Sequence, residues 1–324
     1  MRIVITGGGG FLGQQVAAAL LARGGLGSAP GSAAQLSELV LVDQAMPPTG
    51  VNDPRVQKVI CDIADRAFVR RLFAPPVDAV FHLAAVVSAG AEADFDLGYR
   101  VNLDATRLIL EACRQQPRPP RVVFTSSVAA FGGVLPEFIT DTTAATPQSS
   151  YGTQKVIGEL LIADYTRKGF VDGRCLRLPT IVVRPGRPNR AASGFMSNIL
   201  REPLNGEPAV CPVPPDARMW ISSPQRAVEA LIRAMEVPAE AWGWNRTLNV
   251  PGISVSVSEA LAALEKVAGR DCAALVRFEC DPAIEKLVLS WPARFTTSRA
   301  ESLGFGADQA IDDVIKLHLR TLGR

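Results

Sequence analysis

The first half of the sequence alternates short apolar segments with longer segments whose apolar residues recur at helical spacing. Short apolar runs bounded by turn residues predict buried strands, and the helically spaced segments predict the helices between them. Strands and helices in alternation are typical of a parallel sheet with helices on both faces. The pattern predicts strands at residues 3–6, 39–42, 56–61, 79–83, 121–126 and 174–178, and helices at 11–23, 99–113 and 151–166.

The pattern changes after residue 178. Residues 179–215 are dense in Pro, Gly, Asn and Arg, which favours loops around a site rather than core. Later segments predict helices at 224–235, 257–268 and 311–322, and strands at 247–250 and 276–279. We therefore expect an α/β fold with a Rossmann-type doubly wound parallel sheet in residues 1–178, to which the strand near 247–250 can return. We expect residues 179–324 to form mainly a smaller, C-terminal substrate-binding domain over the carboxyl edge of the sheet.

Composition narrows the class of protein further. The chain has 324 residues and a formal net charge of +2, with basic and acidic residues interspersed, so no basic patch predicts nucleic-acid binding. Its six cysteines form no CxxC pair and it has only two histidines, so we expect reduced thiols and no bound metal. The sequence opens on a predicted strand, and its apolar runs are much shorter than the roughly 20 residues of a membrane span. We expect a cytoplasmic protein with no nucleic-acid or membrane partner.

A glycine-rich turn joins the first predicted strand to the first predicted helix. The segment reads Thr-Gly-Gly-Gly-Gly-Phe-Leu-Gly from Thr6, so Gly7, Gly10 and Gly13 have the spacing GxxGxxG. Glycines at these positions permit a tight turn, let a pyrophosphate approach the backbone and let the helix pack on the sheet. The helix N-terminus then offers free N–H groups to the phosphates. A plain flexible turn would also explain a glycine run, but the place of this one favours a dinucleotide site.

Two carboxylates end the next two predicted strands. Asp43 follows the second strand, where a carboxylate can bind the adenosine ribose hydroxyls and repel a 2′-phosphate, which favours NAD over NADP. It lies further from the glycines than usual because residues 24–35, rich in Gly, Ala and Ser, form a predicted surface insertion. Asp62, followed by Ile63, ends the third strand, where it can contact the adenine amino group. Both aspartates could instead cap helices.

Tyr151 and Lys155 lie four residues apart on a predicted helix, and therefore on one face of it. A phenol has a pKa of about 10 and is a poor base at neutral pH. A neighbouring ammonium lowers that pKa because it stabilises the phenolate. Such a tyrosine can accept the proton of a substrate alcohol while hydride leaves for nicotinamide. The same spacing also occurs by accident on solvated helix faces, so its weight depends on its context.

Four motifs occur in order along the chain. They are the glycine turn, His82-Leu83-Ala84-Ala85 after the fourth predicted strand, Ser126-Ser127 after the fifth, and Tyr151-x-x-x-Lys155. Together they resemble the extended short-chain dehydrogenase/reductase family, which includes sugar-nucleotide epimerases. The resemblance is strong up to about residue 178 and looser beyond it. It implies a Rossmann fold and a nicotinamide cofactor.

The resemblance implies roles residue by residue. Tyr151 is similar to the general base, Lys155 to its partner and a ligand of the nicotinamide ribose, and Ser127 to the serine that holds the substrate oxygen. Phe131 stands where the family usually has tyrosine. The positions implied for NAD binding are Gly7, Gly10, Phe11, Leu12, Asp43, Asp62, Ile63, Leu83, Ala84, Ala85, Asn102, Tyr151, Lys155, Pro179, Thr180 and Ile181.

The substrate side is implied by the loops after the sixth strand. Arg184 lies in a loop that also contains Arg187 and Asn189, and a planar guanidinium matches a carboxylate. This stretch resembles sugar-acid dehydrogenases of the family, which oxidise a four-carbon sugar acid at C2 with NAD. Arg218 resembles a family position near the ligand, although Met219 replaces the expected aspartate, and each arginine could instead form a surface or interdomain ion pair. The residues implied for substrate binding are Ser88, Ser126, Ser127, Tyr151, Arg184, Asn189 and Arg218.

Other reactions of the family are weighed against this one. Val128 and Ala129 follow Ser127, where dehydratases carry acidic residues, which argues against dehydration. Two alternatives to a sugar-acid dehydrogenase are a nucleotide-sugar 4-epimerase, which would retain its NAD, and a non-catalytic NAD-binding sensor, which would not need the Ser–Tyr–Lys set. The resemblance also implies a homodimer paired through the long helices that carry Asn102 and Tyr151.

Overall fold

The structure is a computed structural model that describes residues 1–27, 34–186 and 191–323. Its strands are β1 Arg2–Thr6, β2 Gly25–Leu26, β3 Ala34–Gln35, β4 Glu38–Asp43, β5 Val56–Ile60, β6 Ala79–His82, β7 Arg121–Ser127, β8 Asp172–Leu178, β9 Thr180–Ile181, β10 Ala209–Cys211, β11 Arg218–Ser222, β12 Thr247–Asn249, β13 Ile253–Ser256 and β14 Val276–Phe278. Its helices are α1 Phe11–Arg23, α2 Arg66–Leu72, α3 Ser88–Ala93, α4 Phe95–Gly98, α5 Ala105–Arg114, α6 Ser150–Arg167, α7 Gly194–Leu204, α8 Pro224–Glu236, α9 Ala239–Trp242, α10 Val257–Ala268, α11 Arg270–Ala273, α12 Pro282–Leu289, α13 Ser298–Ser302 and α14 Ile311–Thr321. A π-helical segment, Tyr99–Asp104, joins α4 to α5, and a short 3-10 turn spans Val128–Ala130.

Seven strands form a central, wholly parallel sheet in the order β12-β8-β7-β6-β1-β4-β5. From β1 the chain adds β4 and β5 on one side and then β6, β7 and β8 on the other, so the strand order reverses beside β1. In such sheets ligands bind outside the carboxyl ends of the strands, at the point of reversal. The predicted Rossmann-type doubly wound sheet is confirmed.

Helices cover both faces of this sheet because each presents an apolar stripe to it. On one face α1 and α8 pack Val16 and Leu231 into the same buried cluster as Ile5 of β1. On the other face α5 and α6 contribute Ile109 and Ile162 to a second cluster. The inner strands are shielded from water on both sides, which is why they read as continuous apolar runs, whereas the edge strand β5 is partly exposed.

A further apolar core lies among segments that follow β8. It gathers side chains of α7, α10, α14 and β11, with Ile199, Leu264, Ile315 and Ile221 among them, and β11 pairs with β13 and β9 in a three-stranded sheet. Residues 224–249 interrupt this unit, because α8 packs on the central sheet and β12 pairs with β8. The C-terminal unit is therefore made of two stretches, one on each side of that excursion.

β2 and β3 pair antiparallel at the two ends of the predicted insertion at residues 24–35. Residues 28–33 of that insertion lie outside the described ranges. Within those ranges, none of the helices combines the length and the apolar character that crossing a membrane requires.

Candidate active site

Two adjoining cavities lie at the carboxyl edge of the central sheet, with volumes of about 280 and 270 Å³. Gly7, Gly10 and Ala85 line both of them, so the two form one groove beside β1 and β6. We call the larger one the Tyr151 cavity and the other the Asp43 cavity, after a side chain in the wall of each.

The structure brings most of the predicted site residues into this groove. Those in the wall of the Tyr151 cavity are Gly7, Gly10, Phe11, Leu12, Leu83, Ala85, Ser88, Ser126, Ser127, Tyr151, Lys155, Pro179, Thr180, Ile181 and Arg184. The Asp43 cavity adds Asp43, Ile63 and Ala84. Asp62, Asn102 and Arg218 line neither cavity. Asn189 and Arg187 lie outside the described residues.

The glycine turn packs tightly against the segment after β6. Gly7 has φ of +73°, and a Cβ there would lie 2.8 Å from the backbone nitrogen of Ala84. Any larger residue at position 7 would therefore strain the backbone and separate two segments that wall the groove. The N-cap of α1, Gly10, provides no side-chain hydrogen bond, so the first N–H groups of α1 can bind an anion such as a pyrophosphate.

Asp43 is held at the floor of its cavity by backbone groups. Its Oδ2 accepts the N–H of Gly9 at 3.0 Å and its Oδ1 accepts the N–H of Gln44 at 2.7 Å. A Cβ on Gly9 would lie only 2.1 Å from the backbone oxygen of Ala45. Gly9 is outside the GxxGxxG spacing, and sequence reasoning did not single it out. The carboxylate and the bare turn together fit the ribose and pyrophosphate of a dinucleotide.

Asp62 is placed differently from Asp43. Its Oδ1 accepts the N–H of Ala64 at 2.9 Å, and its Oδ2 pairs with the guanidinium of Arg100. The pKa of Asp62 is lowered: burial acts to raise it, and the bonds to Ala64 and Arg100 outweigh that effect. Its neighbours Cys61 and Ile63 line the Asp43 cavity, whereas Asp62 does not.

A buried chain of hydrogen bonds joins the glycine turn to the π-helical segment. Thr106 Oγ1 donates to the backbone oxygen of Asn102 at 2.7 Å, so it accepts the hydrogen of His82 Nε2 at 2.9 Å. His82 Nδ1 accepts from the hydroxyl of Thr6 at 2.7 Å, and Thr6 Oγ1 accepts the N–H of Ala84 at 3.3 Å. Burial lowers the pKa of His82 to about 3, so the ring is neutral and its tautomer is fixed.

Asn102 supports the groove from behind. Its Oδ1 accepts the N–H of Val86 at 2.8 Å, and its Nδ2 donates to Val86 O at 3.0 Å and to Gln154 Oε1 at 2.7 Å. Gln154 precedes Lys155 on α6. Asn102 therefore ties the segment after β6 to the helix that carries Lys155, and it touches the groove only through these neighbours.

Tyr151, Lys155 and Ser127 converge in one wall of the Tyr151 cavity. Lys155 Nζ lies 4.7 Å from the ring centroid of Phe124 and 5.6 Å from that of Tyr151. Ser127 Oγ accepts the N–H of Ala129 at 3.2 Å, and its hydroxyl also forms a hydrogen bond with Tyr151. The β7 strand end and the first turn of α6 thus present a hydroxyl, a phenol and an ammonium to the same space.

Burial acts in opposite directions on the two titrating groups. It raises the pKa of Tyr151 to about 12, and Arg184 and Ser127 act against that rise. It lowers the pKa of Lys155 to about 8, while Glu159 acts to raise it. The sequence suggested Lys155 as the cation that favours the phenolate, and its Nζ lies 5.6 Å from the Tyr151 ring centroid. The structure adds Arg184 as a second cation that acts on Tyr151.

Arg184 provides a positive charge at the far end of the Tyr151 cavity. Its Nε donates to Ile181 O at 3.0 Å and its Nη2 donates to Ser193 Oγ at 2.9 Å. Ser88 Oγ accepts the N–H of Ala192 at 3.1 Å, which fastens α3 to the start of α7. Ser193 and Trp291 also line this cavity. Sequence reasoning missed Ser193, because its distance from the motifs gives no signal of its contact with Arg184.

Arg218 lies outside the groove. Its guanidinium donates to both carboxylate oxygens of Glu259, at 3.0 and 2.7 Å, and to Ser254 O at 3.1 Å. This arrangement is the ion pair that the sequence left open as an alternative for this residue. Ser126 lines the Tyr151 cavity, but its hydroxyl donates to Glu159, behind the wall.

Comparison with known proteins agrees with this geometry. The model of the NAD dependent epimerase/dehydratase family matches residues 3–242. The chain is 51% identical over 323 residues to D-erythronate dehydrogenase of Cupriavidus necator, covering 100% of this chain and 99% of the relative. It is 48% identical over 316 residues to D-erythronate dehydrogenase of Haemophilus influenzae, covering 98% of each chain.

Solved structures show the same fold. A structure described as the nucleoside-diphosphate-sugar epimerase from Agrobacterium tumefaciens superposes with a TM-score of 0.92 at 42% identity, over 100% of this chain and 95% of that one. L-threonine 3-dehydrogenase from Trypanosoma brucei superposes with a TM-score of 0.87 at 26% identity, over 99% and 96% of the two chains. The chain therefore belongs to the NAD dependent epimerase/dehydratase family, and it is an oxidoreductase that acts on a CH–OH group with a nicotinamide cofactor.

Proposed function

We propose that this protein oxidises the C2 hydroxyl of a four-carbon sugar acid with NAD, converting D-erythronate to the 2-oxo-tetronate. The observation that carries the proposal is the likeness, over essentially the whole chain, to two relatives named D-erythronate dehydrogenase. The Tyr151 cavity supports it, because a proton acceptor, a hydroxyl donor and a guanidinium share a space of about 280 Å³. That volume lies at the small end of ligand pockets, which favours a small acid as substrate.

The proposed chemistry begins with removal of the C2 hydroxyl proton by Tyr151. When bound, the nicotinamide ring accepts the hydride from C2. Ser127, which forms a hydrogen bond with Tyr151 in this structure, donates its hydroxyl hydrogen to the bound substrate oxygen and holds it beside the phenol. Lys155, protonated, favours the phenolate of Tyr151 and binds the nicotinamide ribose. Because burial holds the pKa of Tyr151 near 12, the positive charges of Lys155 and Arg184 are needed for proton removal at moderate pH.

Arg184 is the proposed ligand of the substrate carboxylate. Its position is fixed by Ile181 O and Ser193 Oγ, and a guanidinium offers further N–H donors in the same plane. Ser88 is proposed to bind a substrate hydroxyl, since its oxygen already accepts the N–H of Ala192 and its hydrogen can be donated.

The choice of NAD rests on Asp43. Its carboxylate is fixed by Gly9 and Gln44, at the place where an adenosine ribose would offer two hydroxyls. A 2′-phosphate there would meet a like charge, which disfavours NADP. The remaining cofactor contacts predicted from the sequence, Asp62 and Asn102 included, stay proposals. So do the homodimer through α5 and α6 and a cytoplasmic location.

A nucleotide-sugar 4-epimerase is the second candidate, and the fold match to a structure described as a nucleoside-diphosphate-sugar epimerase is the observation that favours it. The two reactions differ in what happens to the cofactor. A dehydrogenase releases NADH in each turnover, whereas an epimerase returns the hydride and shows no net reduction.

The test is the rate of NADH formation, followed by absorbance, with D-erythronate, D-threonate and L-threonate, and the same assay with NADP. We expect turnover with D-erythronate and NAD. A panel of nucleotide sugars, analysed for interconversion of epimers, is run in parallel. Epimerisation with no reduction of NAD by any acid would replace the proposal with the second candidate, and NAD binding with neither reaction would leave the sensor.

A further inference from the structure

A buried ion pair lies directly behind the Tyr151 cavity. Glu159 of α6 is 4% exposed and Arg177 of β8 is 9% exposed. Arg177 Nε donates to Glu159 Oε1 at 2.9 Å and its Nη2 donates to Oε2 at 2.6 Å. The hydroxyl of Ser126 donates to the same carboxylate, and the guanidinium stacks over the ring of Phe131 with its carbon 4.6 Å from the ring centroid.

Stability alone is a weak reason for this arrangement. Removing two charges from water is costly, and well-packed apolar residues of similar size often stabilise a core as well as a buried ion pair does. The pair has no part in the chemistry proposed for Tyr151, Ser127 and Arg184. Its position offers another role, because Glu159 follows Lys155 by four residues and therefore lies on the same face of α6.

The charged and titrating groups around Lys155 come from three elements. Among the described residues they are Tyr151 and Glu159 on α6, Cys175 on β8 together with Arg177, which is paired with Glu159, and His82 on β6. His82 is neutral, since burial lowers its pKa to about 3, and burial raises the pKa of the Cys175 thiol well above its ordinary value. The Glu159 carboxylate is therefore the anion that acts on Lys155, and it opposes the effect of burial on the ammonium.

We propose that Glu159 is a positioning residue that keeps Lys155 protonated while the reaction runs, and that Arg177 and Ser126 fix the carboxylate for that task. This inference rests on the proposed role of Lys155 as the cation beside Tyr151. Arg177 orients the carboxylate through two hydrogen bonds and balances its charge in the core.

The test is the dependence of kcat/KM on pH in the wild type and in three variants. In the double variant E159Q/R177M both buried charges are removed together, which avoids an unpaired charge in the core. In E159Q the amide keeps the shape of the carboxylate and the guanidinium stays. The control is R2M/E38Q. It removes an ion pair at the amino end of the same sheet, where Arg2 and Glu38 meet at 2.7 Å.

We expect the loss of kcat/KM at alkaline pH to begin at lower pH in the double variant than in the wild type, by about one pH unit. The shift should be larger in E159Q, because its guanidinium charge is no longer balanced. R2M/E38Q should keep the wild-type midpoint. A purely structural role would lower the melting temperature of the variants and leave the midpoints equal, and equal midpoints would overturn the inference.

This experiment distinguishes a failure of the proposed function from a failure of the proposed role of Glu159. If the wild type reduces NAD with none of the sugar acids, the proposed function fails. If the wild type turns over and the alkaline midpoint of E159Q does not move, only the role of Glu159 fails. Should the double variant not fold, E159Q alone decides, since an unshifted midpoint in a folded E159Q is sufficient to reject the role.

Discussion

The two cavities of the groove are built in different ways. In the Asp43 cavity one wall is a backbone turn, with Gly7 against Ala84 and the N–H of Gly9 bonded to the Asp43 carboxylate. In the Tyr151 cavity the wall is made of side chains from separate elements. Ser127 comes from β7, Tyr151 from α6, Arg184 from the segment after β9, and Trp291 from the segment after α12.

The two cavities therefore depend on different features of the sequence. A wall of backbone requires the absence of side chains at a few positions, and it binds a cofactor shared by many reactions. A wall of side chains requires that distant segments meet in one geometry, and it selects the substrate. Changes in the Asp43 cavity should therefore alter cofactor affinity, whereas changes in the Tyr151 cavity should alter turnover or substrate affinity.

The largest expected effect is the loss of turnover in Tyr151→Phe. The variant keeps the ring and removes the proposed proton acceptor, so we expect kcat to fall by about 10³-fold or more, as is typical for loss of a general base. NAD affinity, measured by fluorescence or calorimetry, should stay within a small factor of the wild-type value. A Tyr151→Phe protein with normal turnover would show that another group removes the proton.

The next prediction distinguishes Arg184 from Arg218, both of which the sequence analysis assigned to substrate binding. Arg184→Gln removes the guanidinium from the Tyr151 cavity, and we expect KM for the acid to rise about 10- to 100-fold, as for the loss of about 1.5–3 kcal/mol of hydrogen bonding to a charged group. Arg218→Gln is the matched control. Its ion pair with Glu259 is partly exposed, and such pairs contribute at most about 1 kcal/mol.

Steady-state kinetics over a range of substrate concentrations measures both variants. The optimum of Arg184→Gln should also move to higher pH, because Arg184 acts to lower the pKa of Tyr151. Equal increases in KM in the two variants would contradict the division between the wall of the Tyr151 cavity and the surface.

A smaller effect is expected in the backbone wall. In Gly9→Ala the new Cβ would lie 2.1 Å from the backbone oxygen of Ala45, so the turn and Asp43 must shift. Overpacking of this kind costs about 1–3 kcal/mol, and we expect KM for NAD to rise about tenfold with little change in kcat at saturating NAD. Gly306→Ala is the control, since its Cβ would meet Arg226 Nη1 at 3.4 Å. If Gly9→Ala lowered kcat and left KM for NAD unchanged, Gly9 would act on turnover and not on cofactor affinity, which would contradict the division between the two cavities.

The same contrast explains which features of the fold and the site could be predicted from the sequence. The sheet follows from the alternation of apolar strands with helices, and Gly7, Asp43, Tyr151 and Lys155 are local signals at strand ends or on one helix face. Other features depend on contacts between distant segments. The bond of Ser193 to Arg184 and the pairing of Arg218 with Glu259 have no trace in the local pattern.

Gly9 and Glu159 are intermediate cases, because the sequence shows part of the signal for each of them. Gly9 could have been singled out from the run of four glycines, but the GxxGxxG spacing selects only Gly7 and Gly10 from that run. Glu159 follows Lys155 by one helical turn, and that spacing is visible in the sequence. What cannot be read from it is that β8 places Arg177 against its carboxylate, since register between elements is a property of the packed sheet.

The last expected effect concerns not turnover but the stability of the backbone wall as a function of pH. His82 accepts from Thr6 and donates to Thr106, and its pKa falls from 6.5 to about 3 on folding. Between these two values the unfolded chain binds a proton that the folded chain does not, so the free energy of unfolding falls as pH decreases. The contribution is fully present above pH 6.5 and decreases by about 1.4 kcal/mol for each pH unit below it. Urea unfolding at a series of pH values should show a steeper acid loss in the wild type than in His82→Gln, whose amide can keep one donor and one acceptor. Parallel curves would mean that His82 does not have to stay neutral to hold the Gly7 turn in place, and the backbone wall would then owe its position to packing alone.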